Sequence, residues 1–250
     1  MNTSQTQPPT PLKMSSAGER GRAVRAMFSA IAPRYDFLNH LLSLNIDRSW
    51  RRRAVDHLRW RSRPDGLYLD ICAGTYDLAL ELNRRAGFHG RIIAVDFSKP
   101  MLQHGISKIH QRPITPVCGD ALSTPLASDA FDGAMVAFGV RNLTDIDAGL
   151  RELKRVLRPG ARLVILDFAM PRGRLFRRLY RFYFTRLLPF VGRLISKHSF
   201  AYNYLPESVQ AFAEPDELEA ALLEAGYVDV GWMAMTGGVA CLWWGVAGGR

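Results

Sequence analysis

Three acidic residues, each placed where a short apolar run stops, carry the chemistry this sequence can be read for. The run LYLDI leads into Asp70-Ile-Cys-Ala-Gly-Thr-Tyr-Asp77, in which Gly74 permits a tight turn and the following residues read as the start of a helix. Backbone amides at such a helix start can receive an anionic group, and Thr75 can donate a hydroxyl beside them. Asp96 ends the next run, RIIAVD, 21 residues after Thr75, the spacing at which an acid bonds both ribose hydroxyls. Gly119-Asp120-Ala121 follows the third run, and there a carboxylate can accept from an adenine amino group while apolar neighbours cover the ring. Taken singly, a glycine after a strand is usually only a turn and an Asp at a strand end is usually a helix cap. Taken in order, the three describe a nucleoside pocket.

Such a pocket needs elements that bring distant residues to one edge. From Leu67 onward short β-rich runs alternate with helical ones: LYLDI, a helix from Asp77, RIIAVD, a helix from Lys99, ITPVC, FDGAMVAF, a helix from Asp145 to Leu157, and ARLVILDF. A helix from Asp216 to Ala225, closed by Gly226, precedes YVDVGWMAM and VACLWWGV, which can complete the sheet as an antiparallel hairpin. The expected fold is α/β, a doubly wound, mostly parallel seven-stranded sheet, whose ligands sit beyond the carboxyl ends of the strands. The Gly-x-Gly-x-x-Gly pattern of dinucleotide folds is absent and such folds do not require the third carboxylate, so S-adenosylmethionine fits better than a nicotinamide.

Around this sheet, residues 1–18 read as a disordered tail and 19–250 as a single domain. Residues 19–64 form a helical cover, with Met27, Ile31, Phe37, Leu41 and Leu42 near helical spacing and Pro33 as a break. A basic and aromatic insertion occupies 172–205, ending in a polar connection that contains Tyr202 and Tyr204. Three cysteines, odd in number and far apart, suggest neither a disulfide framework nor a zinc pair, which fits a reducing cytoplasm. The longest apolar stretches, such as 237–249, fall short of the ~20 residues of a spanning helix.

The net charge of +10 favours an anionic partner. It is concentrated in RGRLFRRLYRFYFTRLLPFVGRLISKH (172–198), which has eight Arg and Lys residues and no acid. This segment reads as an interfacial helix for an anionic membrane surface, as a core-covering helix with a solvated basic face, or as a binder of RNA phosphates. The first expectation places the protein in the cytoplasm, peripherally attached to the inner face of the membrane.

Over almost everything after the tail, the sequence resembles the ubiquinone/menaquinone-biosynthesis C-methyltransferases. MFSAIAPRYDFLNHLLSLNIDRSWRR is similar to that family's opening signature, around Tyr35, Asp36, Asn39, Arg48 and Trp50. LDICAGTYDLA, VDFSKPML, FGVRNLTD, LRELKRVLRPGARLVILDF, YNYLPESVQAF and AGYVDVGWMAMTGGVACLWWG continue the likeness, and FGVRN and YNYL-x-ES are not generic methyltransferase text. The resemblance implies a class I S-adenosylmethionine-dependent fold, with Gly74, Thr75, Asp96, Asp120 and Ala121 at cofactor-binding positions. It also implies methylation of a ring carbon of a polyprenyl quinol, most simply demethylmenaquinol to menaquinol, without a metal. Arg141 and Asn142 become the candidates for the quinolate oxygen, Arg141 by pairing with the anion and Asn142 by orienting the ring or a water. Without the resemblance Asn142 would read as a helix cap and Arg141 as the partner of a surface acid. Tyr35, Asp36 and Tyr202 are pocket-lid candidates by similarity.

The pattern is broken at three places. Tyr76 stands where relatives carry glycine; its ring is expected to swing to solvent and leave the backbone cradle intact, and a positive φ there would add about 1–3 kcal/mol of strain. If the ring instead closes the cofactor site, the chain is a non-catalytic binding partner. Ala137 replaces a common serine, a loss of at most one hydrogen bond worth about 0.5–1.5 kcal/mol. Trp243-Trp244-Gly245 stands where a histidine is common. An RNA methyltransferase is the competing enzyme and a dehydrogenase the third reading; nucleic acid is not the expected partner, and no pattern specifies an oligomeric state.

Overall fold

Period-two apolar patterning sets the architecture. In strand β5 (Leu157–Phe168) Leu163 and Ile165 face one hydrophobic layer while Val164 and Leu166 face the other, and every one of the four is fully buried. A strand buried on both faces must be central, with helices above and below. The computed structural model, which describes residues 16–35, 43, 45–182 and 199–249, has that arrangement.

Seven strands form one sheet in the order β3-β2-β1-β4-β5-β7-β6. They are β1 (Leu67–Ile71), β2 (Arg91–Asp96), β3 (Ile114–Cys118), β4 (Phe131–Ala137), β5, β6 (Tyr227–Met235) and β7 (Ala240–Ala247). The first five are mutually parallel. β7 returns antiparallel between β5 and β6, so the two last strands are the expected hairpin, with the later one innermost. The order reverses between β2-β1 and β4, the switch point at which doubly wound sheets bind ligands.

One face is covered by α2 (Asp47–His57) and α3 (Asp77–Asn83), through Trp50, Ala54, Val55, Leu58, Leu78 and Leu82. The other is covered by α5 (Ile146–Val156) and α8 (Pro215–Glu224), through Leu150, Leu153, Val156, Leu218 and Leu222. Asp145 caps α5 by accepting from the Ala148 amide, and the Glu214–Glu217 pair forms a capping box on α8. α4 (Lys99–Gly105) completes the wrapping between β2 and β3.

Two local readings change. α1 (Ala17–Ile31) starts within the stretch read as a tail, because Ser16 caps it by accepting from the Glu19 amide. Pro33 does interrupt it, in a 3-10 turn over Ala32–Arg34; Phe37, Leu41 and Leu42 lie outside the described residues. The polar connection holding Tyr202 and Tyr204 is a helix, α7 (Ser199–Ala211), that runs through Pro206. Burial of Tyr204 and Val209 against neighbouring elements outweighs the cost of an interior proline there. α6 (Arg174–Phe182) begins the basic segment, and its remainder, 183–198, lies outside the described residues.

Candidate active site

Asp96, the last residue of β2, is 6% exposed and holds the switch point together. Its Oδ2 accepts from the Gly74 amide and its Oδ1 from the Ser98 amide, both at 2.8 Å. Burial pushes its carboxyl up to about 6, against the opposing pull of those two amides and of Arg25 on α1. Asp96 lines a cavity of about 70 Å³ together with Gly119, Asp120 and Ala121. Ile71, Val95, Leu122 and Leu143 supply apolar walls, and Asp120 is fixed by accepting from the Leu122 amide at 3.0 Å. Buried carboxylate, exposed carboxylate and apolar walls at one end of a parallel sheet offer hydrogen-bond acceptors beside an apolar surface.

Gly74 and Thr75 form the turn behind Asp96 and do not line this cavity. Gly74 has φ +55°, the left-handed region that glycine tolerates, and a Cβ built there would lie 3.7 Å from the Tyr35 ring. Tyr35 therefore sits beside the turn. Asp36 lies outside the described residues. One amide of the first turn of α3 is taken by the protein itself: Asp70, fully buried in β1, accepts from the Ala79 amide at 2.9 Å. Burial, reinforced by Asp96, raises the Asp70 carboxyl to about 8.

Tyr76 corrects the expectation of a solvent-facing ring. It has φ +71° and is 0% exposed, and its hydroxyl donates to the Leu102 carbonyl at 2.7 Å. The ring packs over Gly105 of α4, where an added Cβ would stand 2.8 Å from two ring carbons. It is not part of the wall of the cavity beside Asp96. Core packing explains the direction: between α3 and α4 the ring buries apolar surface and still satisfies its hydroxyl. Among the other departures, Trp243 is buried with its indole donating to the Pro215 carbonyl, and Trp244 stacks on His57; neither lines the cavity. Ala137 packs against the core.

At the neighbouring tip, Arg141 and Asn142 occupy a 3-10 turn after β4. Arg141 meets a buried acid, not a surface one: Nη1 donates to Asp167 Oδ1 at 2.5 Å and to the Phe138 carbonyl at 2.7 Å. Asp167 is 0% exposed at the end of β5. Arg141 Nε is buried without a partner among the described residues. Although burial opposes its charge, Asp167 holds the guanidinium above its ordinary range. Asn142 is not a helix cap, a role that Asp145 takes; its amide donates to the Phe138 carbonyl, its Oδ1 accepts from the Tyr204 hydroxyl at 2.9 Å, and it lines the nucleoside cavity.

Tyr204, two residues beyond the expected Tyr202, thus reaches the site; Tyr202 lies on the same helix, α7, and its side chain is outside the described part. α1 adds a wall that the sequence did not indicate. Gly21 lines the cavity, Ser29 Oγ meets Ser98 Oγ at 3.0 Å, and Val24 and Met27 cluster with Tyr204. Cys72 and Phe97, which flank the strand-tip acids, were also missed as lining residues. Asp167 could have been found, because an acid ending the buried run ARLVIL needs a cation, and Arg141 ends the adjacent strand's turn. In the basic segment Arg172 and Arg177 pair with Asp216 and Glu214, while Arg174 and Arg178 are exposed.

Comparison with known proteins agrees with this fold. Residues 14–247 match the model of the ubiE/COQ5 methyltransferase family. The ubiquinone/menaquinone biosynthesis C-methyltransferase UbiE of Geobacter sulfurreducens is 44% identical over 92% of this chain and 90% of its own length. The demethylmenaquinone methyltransferase of Thermus thermophilus is 47% identical over 86% of this chain and 97% of its own. Among solved structures, an S-adenosylmethionine-dependent methyltransferase of Thermotoga maritima superposes with TM-score 0.62 at 17% identity, covering 89% of this chain and 98% of that one, a likeness of fold. The chain belongs to the ubiE/COQ5 methyltransferase family.

Proposed function

We propose that this enzyme methylates a ring carbon of a polyprenyl quinol, a demethylmenaquinol in preference to the ubiquinone-branch substrate, with S-adenosylmethionine as donor. The observation that carries the reading is the adjacency of two halves: Asn142 both lines the nucleoside cavity and neighbours Arg141, the buried cation at the tip of β4. Asp96 suits the ribose hydroxyls, Asp120 and Ala121 the adenine, and the Gly74-Thr75 turn with Tyr35 the amino-acid end. These residues fit the cofactor by the acceptors and apolar surface they offer it, and when bound it supplies an electrophilic methyl group. The preference for demethylmenaquinol rests on the Thermus relative's name.

Arg141 supplies positive charge where a quinol hydroxyl ionises. Its unpartnered buried Nε–H is a donor an anionic oxygen can take up, which lowers the quinol pKa and enriches the ring carbon beside that oxygen. Asp167 fixes the plane of the guanidinium, and the Tyr204–Asn142 bond fixes the amide that faces the pocket. The basic segment 172–198 supplies the contact with an anionic membrane at the cytoplasmic face, where a substrate with a lipid tail resides. Among the described residues no helix is long and apolar enough to cross a membrane.

The test is transfer of labelled methyl from S-adenosylmethionine to demethylmenaquinol in phosphatidylglycerol liposomes. Label should appear in the quinol fraction, and Arg141→Gln should lower kcat by about 100-fold or more while cofactor affinity holds. Transfer to RNA in place of quinol, or cofactor binding without any quinol methylation, would overturn the proposal.

A further inference from the structure

Between α2 and α3, away from the nucleoside cavity and sharing no lining residue with it, lies a larger cleft of about 530 Å³. Arg48, Arg51 and Arg52 line one wall, at the i, i+3 and i+4 positions that share a helix face. Arg84, just past the end of α3, and Lys108 line the other. Two of these five cations are committed. Arg51 pairs with Asp47 and, at 3.5 Å, with Asp77, and Lys108 bonds Asp77 at 3.0 Å. The remaining acid on the wall, Glu81, pairs with Arg85 at 3.4 Å.

Arg48, Arg52 and Arg84 are left exposed, with no ion pair among the described residues, around a concavity of ligand size. Like charges gathered on one face repel one another, and an anion between them removes that penalty. The guanidinium is planar, with N–H groups spaced to match two oxygens of one phosphate, so three around one cleft suit a phosphate with at least two charges better than a carboxylate. We infer that this cleft is a binding site for a multivalent phosphate, either the headgroup of an anionic lipid or a free phosphate ester. Nothing in the methylation reading requires it, and it stands independently of that reading.

The test uses the full chain and inorganic pyrophosphate as the probe. Calorimetry at low salt should give saturable one-site binding that Arg52→Ser/Arg84→Ser weakens at least about tenfold. The control Arg63→Ser/Arg91→Ser, with the same charge change at exposed positions outside the cleft, should stay within about twofold. Displacement of pyrophosphate by phosphatidic acid vesicles, whose headgroup is a phosphomonoester, and not by phosphatidylcholine vesicles gives a lipid headgroup as the source. Displacement by glycerol phosphate and not by vesicles gives a free ester. Equal weakening in both variants would reduce the effect to diffuse charge and overturn the site, as would the absence of saturable binding in a protein that still unfolds cooperatively.

Discussion

Replacing Tyr76 by glycine tests whether that ring belongs to the core or to the cofactor site. The residue sits at φ +71°, so glycine relieves about 1–2 kcal/mol of left-handed strain. Against this, the ring is 0% exposed and its removal leaves a cavity between α3 and α4, a cost of about 3–5 kcal/mol for a large aromatic. The lost hydroxyl bond to the Leu102 carbonyl adds about 1 kcal/mol. Tyr76→Gly should therefore be destabilised by about 2–5 kcal/mol in urea unfolding followed by circular dichroism. Tyr76→Phe, which keeps the packing, should lose only about 1 kcal/mol. Because the ring is not a wall of the nucleoside cavity, calorimetric affinity for S-adenosylmethionine should change by about twofold or less in both. A Tyr76→Gly protein as stable as the parent, binding the cofactor tenfold more tightly, would refute this assignment and restore a ring that blocks the site.

Other expectations follow from the same geometry. Asp167→Asn leaves the Arg141 charge buried and uncompensated and should cost about 3–5 kcal/mol of stability, with Asp167→Asn/Arg141→Met recovering part of it in thermal unfolding; a loss under about 1 kcal/mol would count against the pair. Asp96 must be ionised to accept two ribose hydroxyls, so with its carboxyl raised to about 6 cofactor affinity should hold above that pH and fall about tenfold per unit below it, while Asp96→Asn should flatten the profile. Asp70, raised to about 8, holds a proton in the folded state that the unfolded chain releases near pH 4. Its contribution is full below pH 4 and is lost as pH rises towards 8, at about 1.4 kcal/mol per unit, and Asp70→Asn should remove that slope from the stability–pH curve.

The strands were legible because each is a short apolar run bounded by turn residues, and Asp145 and Gly226 marked two helix ends by residue type alone. Asp96, Asp120 and Ala121 were legible as a pocket because a parallel sheet places successive strand ends side by side. What escaped the sequence depends on contacts across the chain. Cys72, Tyr76 and Phe138 all adopt positive φ without being glycine, so no residue type announces these turns. Tyr204 reaches Asn142 through the packing of α7 against α1, a contact between residues far apart in the chain that no local pattern announces. The role of Asp70 was hidden for a similar reason: an acid next to a glycine turn reads as a ligand group, whereas burial turned it inward onto the Ala79 amide.

The wall that α1 contributes bears on affinity as well as on shape. With Gly21 in place the cavity holds about 70 Å³, well under the ~300–1,000 Å³ usual for a bound small molecule. A nucleoside larger than this volume needs its walls to give way, and α1, through Gly21, is one of them. The free energy of moving that wall is then subtracted from the binding free energy of the ligand. A change at Ser16 or Ser29, neither of which lines the cavity, would loosen that helix and sharpen the apparent affinity with no new contact to the ligand.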